Sequence, residues 1–350
     1  MGVTIVDIAK RVHASKMTVS QALRGVGRVS QDTRSRVLQA ARELGYRPNA
    51  AAQATSTGRF GCIALLLGNP TGTSTLSERM LRGMHAVLAA DDIHLTVAVL
   101  PEGDDNQADP TPKILRQTMA DGLLVNYTHG MPRRMAKLIQ SQPAPAVWIN
   151  TKRPFDCVYP DDYGAGKAAA QHLLSLGHRK IAFVDYSHRL DEIAQEHYSA
   201  TDRRNGYAAA MAEAGLEPRV IYRCGPGFRG HFDWSAAWLR TEGRPTAVVC
   251  YSGKMAASIA AAALSMGMQL PRDLSLVCFD PFPVSHMGPV IATFIVPEFE
   301  LGEMAVKALL RKIEKPTIRL AATQVPFAFA GGASCVPPLN GESRLKLSLS

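Results

Sequence analysis

The chain has 350 residues, 46% of them hydrophobic and 20% charged, an ordinary globular balance with length for two or three domains. No apolar run approaches the ~20 residues of a membrane helix, and the start, "MGVTIVDIAKRV", carries Asp7 inside its apolar stretch, unlike a signal peptide. The net charge of +9 is uneven: residues 1–60 hold ten Lys or Arg against three Asp or Glu, so a basic head suited to a polyanion precedes a nearly neutral body.

The first sixty residues predict three short helices. Thr4 and Asp7 form a capping box ahead of Ile5, Ile8, Ala9 and Val12, which share one face. After a break at His13-Ala14, Ser15 caps "KMTVSQALR", with Val19, Ala22 and Leu23 inward. Its outward side carries Lys16, Met17, Ser20, Gln21 and Arg24, a polar and basic face that a purely structural helix does not require. "GVGRVS" is a loop, and Ser30 opens a third helix with Val37, Ala40, Ala41 and Leu44 inward, ended by Gly45. Helix, tight turn, helix and a supporting third helix make a helix-turn-helix unit, whose second helix enters the major groove. Arg24, Arg28, Arg34 and Arg47 are then available for phosphates.

From Gly61 the texture changes. "CIALLLGN", "LTVAVLP", "GLLVNY", "AVWIN", "IAFVDY", "RVIYRC", "AVVCYS" and "LSLVCFD" read as buried strands of parallel sheets. Between them, stretches such as "LSERMLRGMHAVLAADD", "GKAAAQHLLSLGHRK" and "DRRNGYAAAMAEAGL" have helical spacing. The pattern predicts two doubly wound α/β lobes behind an all-α head.

Little in the sequence suggests catalysis. "GPGFRG" at 225–230 spells G-x-G-x-x-G, but Pro226 and Arg229 interrupt it and His231-Phe232-Asp233-Trp234 follow before helical texture resumes, so it reads as a loop between strand and helix. No metal, P-loop or nucleophile-elbow motif occurs, and His129, His172, His178, His188, His197, His231 and His286 are scattered, as surface or cap histidines would be. Neither a metal nor a cofactor is expected. The six cysteines (Cys62, Cys157, Cys224, Cys250, Cys278, Cys335) are far apart and read as free thiols of a reducing cytoplasm.

The head resembles the DNA-binding head of the LacI family of bacterial transcription regulators through "DIAK", "S-x-x-TVS-x-AL", "VS-x-x-TR-x-RV" and "ELGY-x-PN-x-A", in order and without gaps. "KMTVS" is similar to the gluconate-regulator branch. The body resembles the family's effector domain, of periplasmic-binding-protein type, at "QHLLSLGHRKIAFV", "RRNGYAAAM-x-EAGL", "LPRDLSLVCFD" and "ASCVPP". The resemblance implies a head at 1–47 and a hinge at 48–60. It implies a first lobe at 61–160 and 291–321, a second at 161–290 and 322–339, and a tail at 340–350. DNA contacts are implied at Thr4, Ser15, Lys16, Met17, Thr18, Ser20, Gln21, Arg24, Arg28 and Thr33, and in the hinge at Asn49, Ala51 and Thr55. Three positions depart from the family: His13 replaces a turn Gly, Gln21 a common Arg, and Thr55 the Leu that wedges into the minor groove.

Ligands of open α/β sheets bind beyond the carboxyl ends of the strands, which points to Asn69, Asn126, Asn150, Tyr186, Ser252 and Asp280. The resemblance adds Arg203 in "DRRNGY" as an effector-fastening arginine, Asp280 as an acidic contact and Trp234 as a stacking ring; Ser252-Gly253 stands where relatives read Asn-Asp. The expectation is a cytoplasmic, homodimeric regulator, a repressor of operator DNA controlled by a sugar or sugar acid, with a purine or another small metabolite as the alternative effector. The rival reading is a cytoplasmic sugar-binding or sugar-converting protein with an accessory head.

Overall fold

A computed structural model describes residues 2–48, 58–68, 76–100, 112–117, 119–127, 131–187, 197–223, 230–285 and 290–339. It divides into two compact units, Met1–Gly61 and Cys62–Ser350.

In the first unit, helices α1 (Ile5–Val12), α2 (Lys16–Arg24) and α3 (Gln31–Glu43) start where the sequence places their caps. Ser15 Oγ accepts from the Thr18 N–H at 3.0 Å and Ser30 Oγ from the Thr33 N–H at 3.3 Å. His13 ends α1 in the left-handed region at φ 51°, and Gly25 ends α2 at φ 74°, so the turn survives without the family's glycine at 13. Ile8, Val19 and Val37, one from each helix, are fully buried and meet Ala9, Val12, Ala22, Ala40 and Ala41 in one core.

The second unit holds two sheets. In the first, β1 (Cys62–Leu67), β2 (His94–Val99), β3 (Gly122–Asn126), β4 (Ala146–Ile149), β5 (Cys157–Pro160) and β11 (Thr323–Val325) pair in parallel in the order β11-β5-β4-β3-β1-β2. The second consists of β6 (Ile181–Asp185), β7 (Arg219–Tyr222), β8 (Ala247–Cys250), β9 (Ser275–Asp280), β10 (Ala292–Ile295) and β12 (Ala328–Ala330). Its order is β12-β10-β9-β8-β6-β7, with only β12 antiparallel. Helices α4 (Glu78–Leu88), α5 (Lys113–Arg116), α6 (Arg133–Gln140) and α11 (Glu298–Glu314) go with the first sheet. Helices α7 (Asp162–Ser175), α8 (Tyr198–Glu213), α9 (His231–Leu239) and α10 (Gly253–Ser265) go with the second.

Alternate residues of the inner strands enter opposite cores, which is why these strands read as unbroken apolar runs. Ile63 and Leu65 face the α4–α11 side while Ala64 and Leu66 face Trp148 and Ile139. Ala182 and Val184 meet α9 and α10, and Ile181 and Phe183 meet α7 and α8.

Two lobe boundaries differ from the expectation. The first crossing lies at Pro160–Asp162, between β5 and α7. The second was expected before residue 291, but β10 pairs with β9 in the second sheet, so the chain crosses only at Val296–Pro297. The third was expected before 322, yet β11 pairs with β5 in the first sheet, and the crossing falls between Val325 and Ala328. Strands of three or four residues carry too little pattern to be seen before they pair. His178 is a further correction. Instead of lying at the surface it is buried, its Nδ1 2.9 Å from Thr246 Oγ1 and its Nε2 2.8 Å from the Val336 carbonyl.

Candidate nucleic-acid interface and ligand cleft

On α2, burial of Val19 and Ala22 turns Met17, Ser20, Gln21 and Arg24 to the opposite side. Lys16, Met17, Arg24 and Arg28 are exposed, and Thr18, Ser20, Gln21 and Thr33 are half-buried. Several of these side chains are engaged within the head. Thr4 donates from its N–H and its hydroxyl to Asp7 Oδ2 at 2.9 and 2.8 Å, bonds that hold the Asp7 carboxyl below the usual carboxylate range. Ser15 and Thr18 share a hydroxyl contact of 2.8 Å, and Arg24 Nε donates back to the Ser20 carbonyl at 3.3 Å. The Gln21 amide lies against the following loop, so that a Cβ at Gly27 would sit 2.7 Å from Gln21 Cδ. Arg34 is half-buried, and its Nε has no partner among the described residues. Asn49, Ala51 and Thr55 lie outside the described residues, as do Asn69, His129, His188, His286 and Gly225–Arg229 of the glycine-rich stretch.

In the second unit the parallel strands carry Asn126, Asn150, Tyr186, Ser252 and Asp280 at their carboxyl ends. The two lobes meet at this end. His197 Nε2 donates to the Asn150 carbonyl at 3.1 Å, the Tyr198 hydroxyl donates to Asn150 Oδ1 at 3.0 Å, and Lys152 pairs with Asp202. Asn150 adopts the left-handed backbone at φ 53°, a conformation asparagine tolerates.

Arg203 on α8 is buried in the second lobe. Its Nε donates to Asp162 Oδ1 at 2.7 Å and its Nη1 to the Tyr251 carbonyl at 2.9 Å. The guanidinium carbon lies 4.6 Å from the Phe279 ring centre and 4.9 Å from that of Tyr251. Glycines make this possible. A Cβ at Gly166 would fall on the Arg203 carbonyl, and one at Gly206 on the Tyr163 carbonyl, so α7 and α8 touch backbone to backbone and bring Asp162 to Arg203. Burial pushes the Asp162 carboxyl up and Arg203 pulls it back; among the described residues Asp162 Oδ2 has no partner.

Asp280 Oδ1 accepts from the Phe282 N–H at 3.2 Å, and its Oδ2 lies where a Cβ on Gly253 would fall. The missing side chain at 253, a departure from the family's Asp, is therefore what gives Asp280 its place. Ser252 caps α10, its Oγ accepting from the Met255 N–H at 3.4 Å. Trp234 stands against Tyr186 and His231 with ring centres 5.4 and 5.5 Å away, and its Nε1 is buried without a partner. The Tyr186 hydroxyl is used in the core, 3.0 Å from Ser235 Oγ and 2.7 Å from Trp238 Nε1. Asn126 is buried with its Nδ2 3.8 Å from Met80 Sδ, and its Oδ1 has no partner.

Sequence reasoning missed Arg79, Asp162 and Glu298. Glu298 opens α11, and burial raises its carboxyl, with Asp280 adding to the rise; its Oε2 is unpartnered. Arg79 in α4 reaches the other lobe, its guanidinium 5.3 Å from the Phe282 ring centre. Here too glycines set the geometry: a Cβ at Gly83 would fall on the Phe299 carbonyl, and one at Gly302 on the Met80 carbonyl. The available signal was position, because each of the three lies in the first turn of a helix that follows a strand or a lobe crossing.

Comparison with known proteins decides what this pair of units is. Residues 4–49 match the profile of bacterial regulatory proteins, lacI family, and residues 170–335 match that of a periplasmic binding protein-like domain. The chain belongs to the LacI family of bacterial regulators. It is similar to the ribose operon repressor of Haemophilus influenzae, 28% identical over 317 residues, 89% of this chain and 92% of the relative. Catabolite control protein A of Priestia megaterium is 26% identical over 339 residues, 93% and 97% of the two chains. The lac repressor dimer bound to operator and the anti-inducer ONPF shares the fold, with a TM-score of 0.79 at 20% identity over 96% of this chain and all of that one. Like these relatives, this LacI-family chain is a DNA-binding transcription regulator.

Proposed function

We propose that this regulator acts in the cytoplasm as a homodimeric repressor, each head taking one half-site of operator DNA, and that a neutral sugar bound between the lobes controls it. One observation carries the effector reading. Asn126 Oδ1, Trp234 Nε1 and Glu298 Oε2 are buried polar atoms without partners among the described residues, on elements whose ends meet in the cleft. Unpaired buried groups of this kind cost ~1–3 kcal/mol each, a cost a ligand with matching hydroxyls would offset. The acceptors suit hydroxyl hydrogens, the indole N–H suits a hydroxyl or ring oxygen, and the Trp234 ring offers an apolar face.

The effector works only through different affinities for different lobe arrangements. Thermal-shift measurements against neutral sugars, sugar acids and purines test the class, with calorimetry on Arg203→Ala testing the site. The expected result is stabilisation by a neutral sugar that Arg203→Ala loses while operator affinity holds. Stabilisation by purines or sugar acids alone would overturn the effector class, and unchanged ligand affinity in the mutant would remove Arg203 from the site.

A further inference from the structure

We propose that Met17 is a specificity-determining residue that reads the 5-methyl group of a thymine in each operator half-site. The inference rests on the reading that α2 enters the major groove. Met17 is 71% exposed, against 50% for Val26 and 40% for Leu38, the other exposed large apolar residues of the head. It is the second residue of α2 and lies opposite the buried Val19 and Ala22, at the amino end from which recognition helices touch base edges. Of the neighbouring polar groups, Thr18 is bonded to Ser15 and Arg24 donates to its own helix, while the Gln21 side chain lies close to Gly27.

Water gains nothing from an apolar side chain held out on a basic helix, whereas the major groove offers one apolar group, the thymine methyl. A thioether on a flexible stem adapts to that methyl without demanding one geometry. Lys16 beside it supplies a cation for phosphate and carries no sequence information.

The test starts from operator DNA selected by the purified full-length protein from a randomised duplex pool. Each thymine of one half-site is then replaced in turn by deoxyuridine, which removes only the methyl. The wild type should lose about fourfold in affinity at one position, the effect of one buried methyl group. Met17→Ser should abolish that position's sensitivity and leave the salt dependence of binding unchanged, since no phosphate contact is lost. Met17→Leu should retain part of it. Absence of any methyl-sensitive position, or the same sensitivity in Met17→Ser, would overturn the inference. Failure to select any DNA at all would instead remove the functional reading beneath it.

Discussion

Removing the carboxylate of Asp162 tests the centre of the second lobe. Asp162 and Arg203 are both buried, and the guanidinium has no route to neutrality by losing a proton. Truncation in Asp162→Ala leaves the cation paired, among the described residues, with the Tyr251 carbonyl at 2.9 Å and with the faces of Phe279, Tyr251 and Phe327. Breaking a buried pair in this way costs ~3–5 kcal/mol, and the remaining contacts place Asp162→Ala toward the lower end. Asp162→Asn keeps an acceptor for Arg203 Nε and loses only the charge, so ~1–3 kcal/mol is expected. The double replacement Asp162→Leu with Arg203→Met removes both charges and should cost less than Asp162→Ala alone.

Trp148, Trp234 and Trp238 all lie in the second unit, so tryptophan fluorescence in a urea titration reports that unit and not the head. With a slope of about 3 kcal/mol per molar urea, the midpoint of Asp162→Ala should fall by about 1 M. A midpoint within ~0.2 M of wild type would mean that Arg203 is adequately solvated without its partner, and the argument from burial would fail.

Other predictions concern packing, pH and the hinge. Gly206→Ala gains ~1 kcal/mol of helix propensity but places its Cβ on the Tyr163 carbonyl, so α7 and α8 must part. A net loss of ~1–2 kcal/mol in the same urea titration is expected, with weaker effector binding by calorimetry, and a stabilised variant would refute the contact. Burial holds the His178 imidazole below its ordinary value, so the unfolded chain takes up the proton first. Stability from this group is complete above ~6.5 and declines as pH falls through that value toward the lower folded one. Thermal melts at pH 7.5 and 5.5 should show a drop that His178→Gln reduces. Thr55→Leu restores an apolar wedge and should sharpen the operator bend read by fluorescence energy transfer; a sharp bend already present in the wild type would refute this.

The head was legible because its signals are local. Caps three residues from the amides they satisfy and a 3.6-residue apolar repeat need no distant partner, and α1 to α3 begin where Thr4, Ser15 and Ser30 place them. The long inner strands were legible for the same reason. What escaped depends on contacts across the chain. β10 and β11 acquire their lobe only by pairing with β9 and β5. Burial of His178 is decided by Val336, 158 residues away. Arg203 stood out through a family motif, but its partner Asp162, 41 residues upstream, was marked only by its place at the start of a helix after a lobe crossing. Gly166 and Gly206 read as ordinary helix glycines until the helices are seen to touch.

Those glycines show how both lobes bring charged groups to the cleft by one device. In the first lobe Gly83 and Gly302 let α4 and α11 meet at backbone distance, which brings Arg79 toward Glu298; in the second, Gly166 and Gly206 do the same for Asp162 and Arg203. Helices in backbone contact cannot slide without carbonyls colliding with Cα positions, so each group moves with its lobe as a rigid body. The bonds from Asn150 to His197 and Tyr198, and the Lys152–Asp202 pair, then join two stiff bodies at one lip. They favour the arrangement seen here by a fixed amount. An effector held between Asn126 and Glu298 on one side and Trp234 and Arg203 on the other adds to or opposes that bias. Its sign follows from whether the lip bonds and the effector contacts can be made together, so loosening the lip with Lys152→Met should alter effector affinity without touching an effector contact.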